Sequence, residues 1–153
     1  MDVMVEPSSR SKSGAGAANP LRVFLVEDSA LIRERLTETI SSLPHVEVVG
    51  HAETEADAIL ALQAPVCDAV VLDLQLREGH GFNVLKALRS STSPRRRMIV
   101  LVLSNYATPQ YRGRSMEIGA DYFFDKSREY DRLCEVLEEL VARRSQDSGS
   151  GNM

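Results

Sequence analysis

Along the chain, short apolar runs alternate with stretches in which apolar residues recur every three or four positions. The first run is Leu21–Glu27 (LRVFLVE), rich in β-branched and aromatic residues, which predicts a buried strand. Ser29 can cap a following helix whose stripe is Leu31, Ile32, Leu36 and Ile40, with Pro44 ending it. A second strand is expected over Val46–His51. Thr54 then starts a second helix carrying Ala58, Ile59 and Leu62, closed by Pro65. Asp68–Leu74 (DAVVLDL) is the third strand, and after a loop with Gly79 and Gly81 the third helix carries Phe82, Leu85 and Leu88. Met98–Leu103 (MIVLVL) is the most apolar strand and is expected at the centre of the sheet. A weaker helix over Pro109–Ile118 leads through Gly119 to the strand Asp121–Phe124. The last helix carries a strong stripe of Leu133, Val136, Leu137, Leu140 and Val141.

Strands alternating with helices argue for an α/β protein with a parallel sheet covered on both faces. Right-handed crossovers leave few topologies, and a flavodoxin-like, doubly wound sheet in the order 2-1-3-4-5 is favoured. Ligands of such sheets bind beyond the carboxyl ends of the strands, near the switch between strands one and three. Residues 1–20 and 145–153 are rich in Ser and Gly and read as flexible tails flanking a domain over 21–144.

Composition narrows the class. The chain has 153 residues, enough for one domain with its own core. The net charge of −4 offers no basic face for direct nucleic-acid binding. The run Arg95–Arg97 reads as a solvated approach to a strand. No apolar run reaches the roughly 18–20 residues that span a bilayer, and the N-terminus lacks the apolar core of a signal peptide. Cys67 and Cys134 stand apart without metal-ligand spacing, and a structural zinc site is not expected. A cytoplasmic setting suits these features.

The chemistry-bearing residues gather at the expected strand ends. Glu27 and Asp28 follow the first strand, Asp73 closes the third, Ser104 follows the fourth and Lys126 follows the fifth. Singly, a strand-terminal Asp is more often a turn former or helix cap, and a lone Lys is usually solvated. Together they differ: three carboxylates in one place repel, and a divalent cation is the natural remedy. Ligands that are all oxygen suit Mg²⁺. Lys126 would add positive charge, and Ser104 a hydroxyl donor, to a carboxylate nucleophile.

The stretches VEDS (Val26–Ser29), VVLDLQLREGHGFNVL (Val70–Leu85), VLSN (Val102–Asn105) and GADYFFDKS (Gly119–Ser127) resemble the receiver domains of response regulators, in order and spacing over residues 21–144. The resemblance implies a two-component phosphoprotein. Asp73 would accept a phosphoryl group from a sensor histidine kinase or phosphotransfer protein. Mg²⁺ would be held by Glu27, Asp28, Asp73 and the backbone carbonyl of Gln75. Lys126 would clamp the phosphoryl group, Ser104 would turn to hydrogen-bond it, and Phe123 stands at the switch-aromatic position. The expected output is a downstream protein met through the face of the fourth helix, fifth strand and fifth helix, by a monomer or a phosphorylation-dependent dimer.

Departures from the commonest pattern are Ser127, where proline is more frequent, so that a proline isomerisation step is absent, and Asn105, where alanine is common. His45 and His51 flank the second strand away from the site, and His80, in the loop after Asp73, reads as simply exposed, with tuning of the phosphoryl lifetime as the alternative. Nothing after Arg144 reads as an output domain, so the chain reads as a stand-alone receiver, or as a fragment of a larger regulator or hybrid kinase. A haloacid-dehalogenase-like phosphatase would want a second Asp where Gln75 stands. A flavodoxin-like cofactor binder would want a phosphate-cradling loop where the acidic Glu27-Asp28-Ser29 lies. A receiver that is never phosphorylated is a further alternative.

Overall fold

A computed structural model describes residues 19–64, 66–90 and 98–151, with side chains as far as Ser145. The strands are β1 (Leu21–Val26), β2 (Val46–Ala52), β3 (Ala69–Asp73), β4 (Ile99–Ser104) and β5 (Tyr122–Asp125). Between and after them run α1 (Ala30–Ser41), α2 (Glu55–Ala61), α3 (Gly81–Arg89), α4 (Pro109–Ile118) and α5 (Tyr130–Gly151). All strand pairs are parallel, in the order β2-β1-β3-β4-β5. The doubly wound topology expected from the alternating pattern is the one found. The helix over Pro109–Ile118 has the bounds expected of it.

Two apolar layers sandwich the sheet because alternate residues of each strand face opposite sides. On one side Val23, Leu25, Val71, Leu101 and Leu103 pack against Leu36 and Ile40 of α1 and Leu133, Val136 and Leu137 of α5. On the other, Phe24, Val26, Val70, Leu72, Val100 and Val102 pack against Ala58 of α2 and Val84 and Leu85 of α3. The helix starts follow from capping. Ser29, Thr54 and Thr108 each accept a backbone N–H from the first turn, satisfying donors that a helix start leaves open. Pro109, which lacks that N–H, follows Thr108.

Some expectations are corrected. Met98–Leu103 supplies β4, paired on both edges inside the sheet as expected, while the middle place belongs to β3. Both β3 and β4 are buried on two faces and paired along two edges, so apolar content does not rank them. Leu31, assigned to the α1 stripe, is 61% exposed, since the stripe that meets the sheet runs through Leu36 and Ile40. From Ser145 to Gly151, expected as tail, the backbone continues α5, each residue adding a bond to an existing helix. Pro65, the run Arg95–Arg97 and residues 1–18 of the expected N-terminal tail lie outside the described residues. Among the described residues no helix is long and apolar enough to cross a membrane.

Candidate functional site at the carboxyl ends of the strands

Backbone bonds carry three of the ladders one step past their strands and deliver the polar residues to one rim of the sheet. The Glu27 N–H donates to Ala52 O at 3.0 Å, and the Lys126 N–H donates to Ser104 O at 2.9 Å. Asp73 lies opposite Leu103 in the β3–β4 register, and Leu74 N–H still reaches Leu103 O. Gly81 lets α3 approach this rim: a Cβ there would lie 2.5 Å from Asp73 O and 2.7 Å from the Leu74 Cα.

Lys126 is the hub. Its Nζ donates to Glu27 Oε1 at 2.7 Å and to Asp73 Oδ2 at 2.8 Å, joining residues 99 and 53 positions away in sequence. All three side chains are buried, with exposures of 5% or less. The remaining carboxylate oxygens are held by nearby backbone. Ser29 N–H donates to Glu27 Oε2 at 3.0 Å, and Gln75 N–H donates to Asp73 Oδ1 at 3.1 Å. Asp28 is half-buried, and one oxygen each from Glu27, Asp28 and Asp73 lie within 4.8 Å of one another.

Burial pushes the Glu27 carboxyl above the ordinary glutamate range. Its bond from Lys126 opposes the shift, and the neighbouring Asp73 adds to it. For Lys126 burial works against the ammonium, but the bonds to Asp73 and Glu27 outweigh it and hold the group above its usual value. The site therefore keeps its cation and has more acid than that cation can neutralise. Hard oxygen donors, spaced to share one ion and facing excess negative charge, fit a divalent cation such as Mg²⁺.

Ser104 is fully buried beside this cluster. Its Oγ donates to Gln75 Oε1 at 3.2 Å and accepts from Tyr106 N–H at 3.0 Å. Phe123 is buried in the α3-side layer, with the Arg112 guanidinium 4.7 Å from its ring centroid and a bond from Arg112 Nη1 to Phe123 O. Asn105 is exposed, and Ser127 is tied to Asp125 through N–H and hydroxyl bonds to Oδ1.

The chemical types at this rim, their order along the chain and the sheet order can be set against known proteins. A sequence profile of the response regulator receiver domain matches residues 23–138. The chain belongs to the receiver-domain family of response regulators. A gliding motility regulatory protein of Myxococcus xanthus is 32% identical to this receiver over 144 residues, spanning 93% of the chain and 18% of that protein. Protein-glutamate methylesterase/protein-glutamine glutaminase 5 of the same species is 34% identical over 127 residues, 82% of the chain and 36% of that protein. The receiver thus spans well under half the length of these two relatives, and the activities in their names are theirs. Among solved structures, a signal receiver domain from Mycobacterium tuberculosis superposes with TM-score 0.72 at 26% identity, covering 82% of this chain and 98% of that one. The response regulator domain of Thermotoga maritima CheB gives TM-score 0.66 at 22% identity, covering 82% and 96%, and shares the fold.

The fold brings Glu27, Asp28, Asp73, Gln75, Ser104 and Lys126 to this receiver's rim, while Phe123 lies one layer away under Arg112. Several neighbours were not legible in the sequence. His80, expected to be merely exposed, caps α3: its Nδ1 accepts Phe82 N–H at 3.0 Å, and its ring lies 4.7 Å from Phe82 and 6.4 Å from Tyr111. Burial holds this imidazole below the usual histidine value, with Glu55 pulling the other way. Glu55 also pins the loop after β3 by accepting His80 N–H at 3.0 Å. Arg33 donates to Glu27 O at 2.9 Å, clamping the backbone between the two acidic residues and α1. A histidine two residues before an apolar helical position is a weak capping signal, and the other contacts join distant segments.

Proposed function

We propose that this receiver is a phosphorylation-controlled switch whose acceptor is Asp73. A carboxylate oxygen of Asp73 attacks the phosphorus of a phosphohistidine on a sensor histidine kinase or phosphotransfer protein. The P–N bond breaks, with its electron pair passing to the imidazole. The observation that carries this reading is the buried Lys126 ammonium bonded at once to Asp73 and Glu27, with Asp28 alongside. The ammonium is already in place to meet the charge that a phosphoryl group would bring. Glu27, Asp28, Asp73 and the backbone carbonyl of Gln75 would hold Mg²⁺, which when bound supplies positive charge to the phosphoryl oxygens. Ser104 would give its hydroxyl proton to a phosphoryl oxygen.

The message then passes to a downstream protein through the face of α4, β5 and α5. Arg112 stacked on Phe123 supports that route, because it couples an α4 side chain to the β5 aromatic expected to reorient. The setting that this reading calls for is cytoplasmic. The test is incubation with Mg²⁺ and either acetyl phosphate or beryllofluoride, read by intact mass or by titration. The wild-type protein should form an adduct and Asp73→Asn should not. No adduct on the wild-type protein overturns the reading.

A further inference from the structure

On that reading Gln75 is part of the site: its side chain reaches into the rim, and its Nε2 is a buried donor without a hydrogen-bond partner among the described residues. Its Oε1 takes the bond from Ser104. The amide oxygen is the end that faces the hydroxyl. Ser104 Oγ already accepts from Tyr106 N–H, so its own proton needs an acceptor, and the amide oxygen supplies one in a fully buried place. The proton that Ser104 would offer a phosphoryl oxygen is thus committed to Gln75.

We propose that Gln75 is a positioning residue that latches Ser104 in the unphosphorylated arrangement, opposing the switch. The hydroxyl has one proton, so it cannot serve Gln75 and a phosphoryl oxygen at once. Gln75 is held at its backbone by the bond from its N–H to Asp73 Oδ1 and by bridge pairing with His80 across the loop. For Ser104 to reach a phosphoryl oxygen, the bond to Gln75 Oε1 must break. The same movement withdraws the acceptor from Tyr106 N–H. Tyr106 is 56% exposed, and its ring lies 6.1 Å from that of Tyr111 on α4. Unlatching therefore disturbs an aromatic pair on the surface next to α4, giving Gln75 control over both the threshold of the switch and its first outward step.

The test is the affinity for beryllofluoride at saturating Mg²⁺, which stands in for the phosphorylated state. Gln75→Leu removes the latch from the free protein and leaves the bond from Ser104 to the adduct. Affinity should rise about three- to tenfold, the worth of one hydrogen bond between neutral groups. Gln75→Met, unbranched and of similar length, should do the same and covers the case in which leucine disturbs the fold. In a Ser104→Ala background neither change should tighten binding, because nothing is left to latch. In free Gln75→Leu the Tyr106 amide resonance should already lie displaced toward its adduct-bound position. Unchanged or weaker binding in both Gln75 variants, or equal tightening without the Ser104 hydroxyl, overturns the latch while leaving the site reading intact. Absence of beryllofluoride binding by the wild-type protein overturns both.

Discussion

Replacing Lys126 by Met keeps much of the side-chain volume and removes the ammonium that bonds Glu27 at 2.7 Å and Asp73 at 2.8 Å. With both carboxylates buried, water does little to screen the loss. Removing one partner of a buried charge pair destabilises by about 3–5 kcal/mol. At a urea slope of about 2 kcal/mol per molar, the unfolding midpoint of the metal-free variant should fall by about 2 M. The pH dependence carries the sharper test. Glu27 is already pushed above its ordinary value by burial, and the variant loses the bond that opposes this. A carboxyl whose folded value exceeds its unfolded one stabilises the fold while protonated, and that stability is lost as pH rises through the raised value. The variant should therefore be closest to wild type near about pH 5 and furthest from it near about pH 8. Excess Mg²⁺ should recover part of the deficit at the higher pH, since a dication bound only by the folded form restores positive charge. Urea titrations followed by circular dichroism, with chelator and with Mg²⁺, measure all of this. A metal-free variant as stable as wild type at neutral pH, or one that gains on wild type as pH rises, refutes the reasoning.

Gly81→Ala should destabilise by about 1–3 kcal/mol and weaken beryllofluoride binding, because its Cβ would meet Asp73 O and the Leu74 Cα; thermal melts and titration check both. Gly113→Ala should stabilise by about 0.5–1 kcal/mol, since the added methyl meets nothing within 4 Å in the interior of α4, and a higher melting temperature is the readout. His80 is held below its usual value, so the neutral ring stabilises the fold above the unfolded value and that contribution is lost as pH falls. Between about pH 7.5 and about pH 5.5, amides of the first turn of α3 should lose hydrogen-exchange protection, and His80→Asn, which keeps a capping acceptor, should flatten the change.

Much of the architecture was legible because the two periods are local. The apolar run of β1 and the threefold and fourfold spacing of Leu133, Val136, Leu137 and Leu140 follow from which residues must leave water. Ser29 and Thr54 announced their helices because a cap needs only its own next turn. The acidic, hydroxyl and lysine positions were readable as strand-end chemistry, for the parallel topology sends every strand end to one rim. Partners separated in sequence were decided only by the tertiary structure. Leu31 is five residues before Leu36 and so lies off the face that Ile32, Leu36 and Ile40 share, which left it in water. Lys126 spends its ammonium on Glu27 and Asp73, Ser104 gives its proton to Gln75, and Arg112 covers Phe123. Each of those bonds depends on distances of a few ångströms between segments that no local spacing relates, so the sequence by itself determined the parts at the rim, and packing decided which of them hold one another.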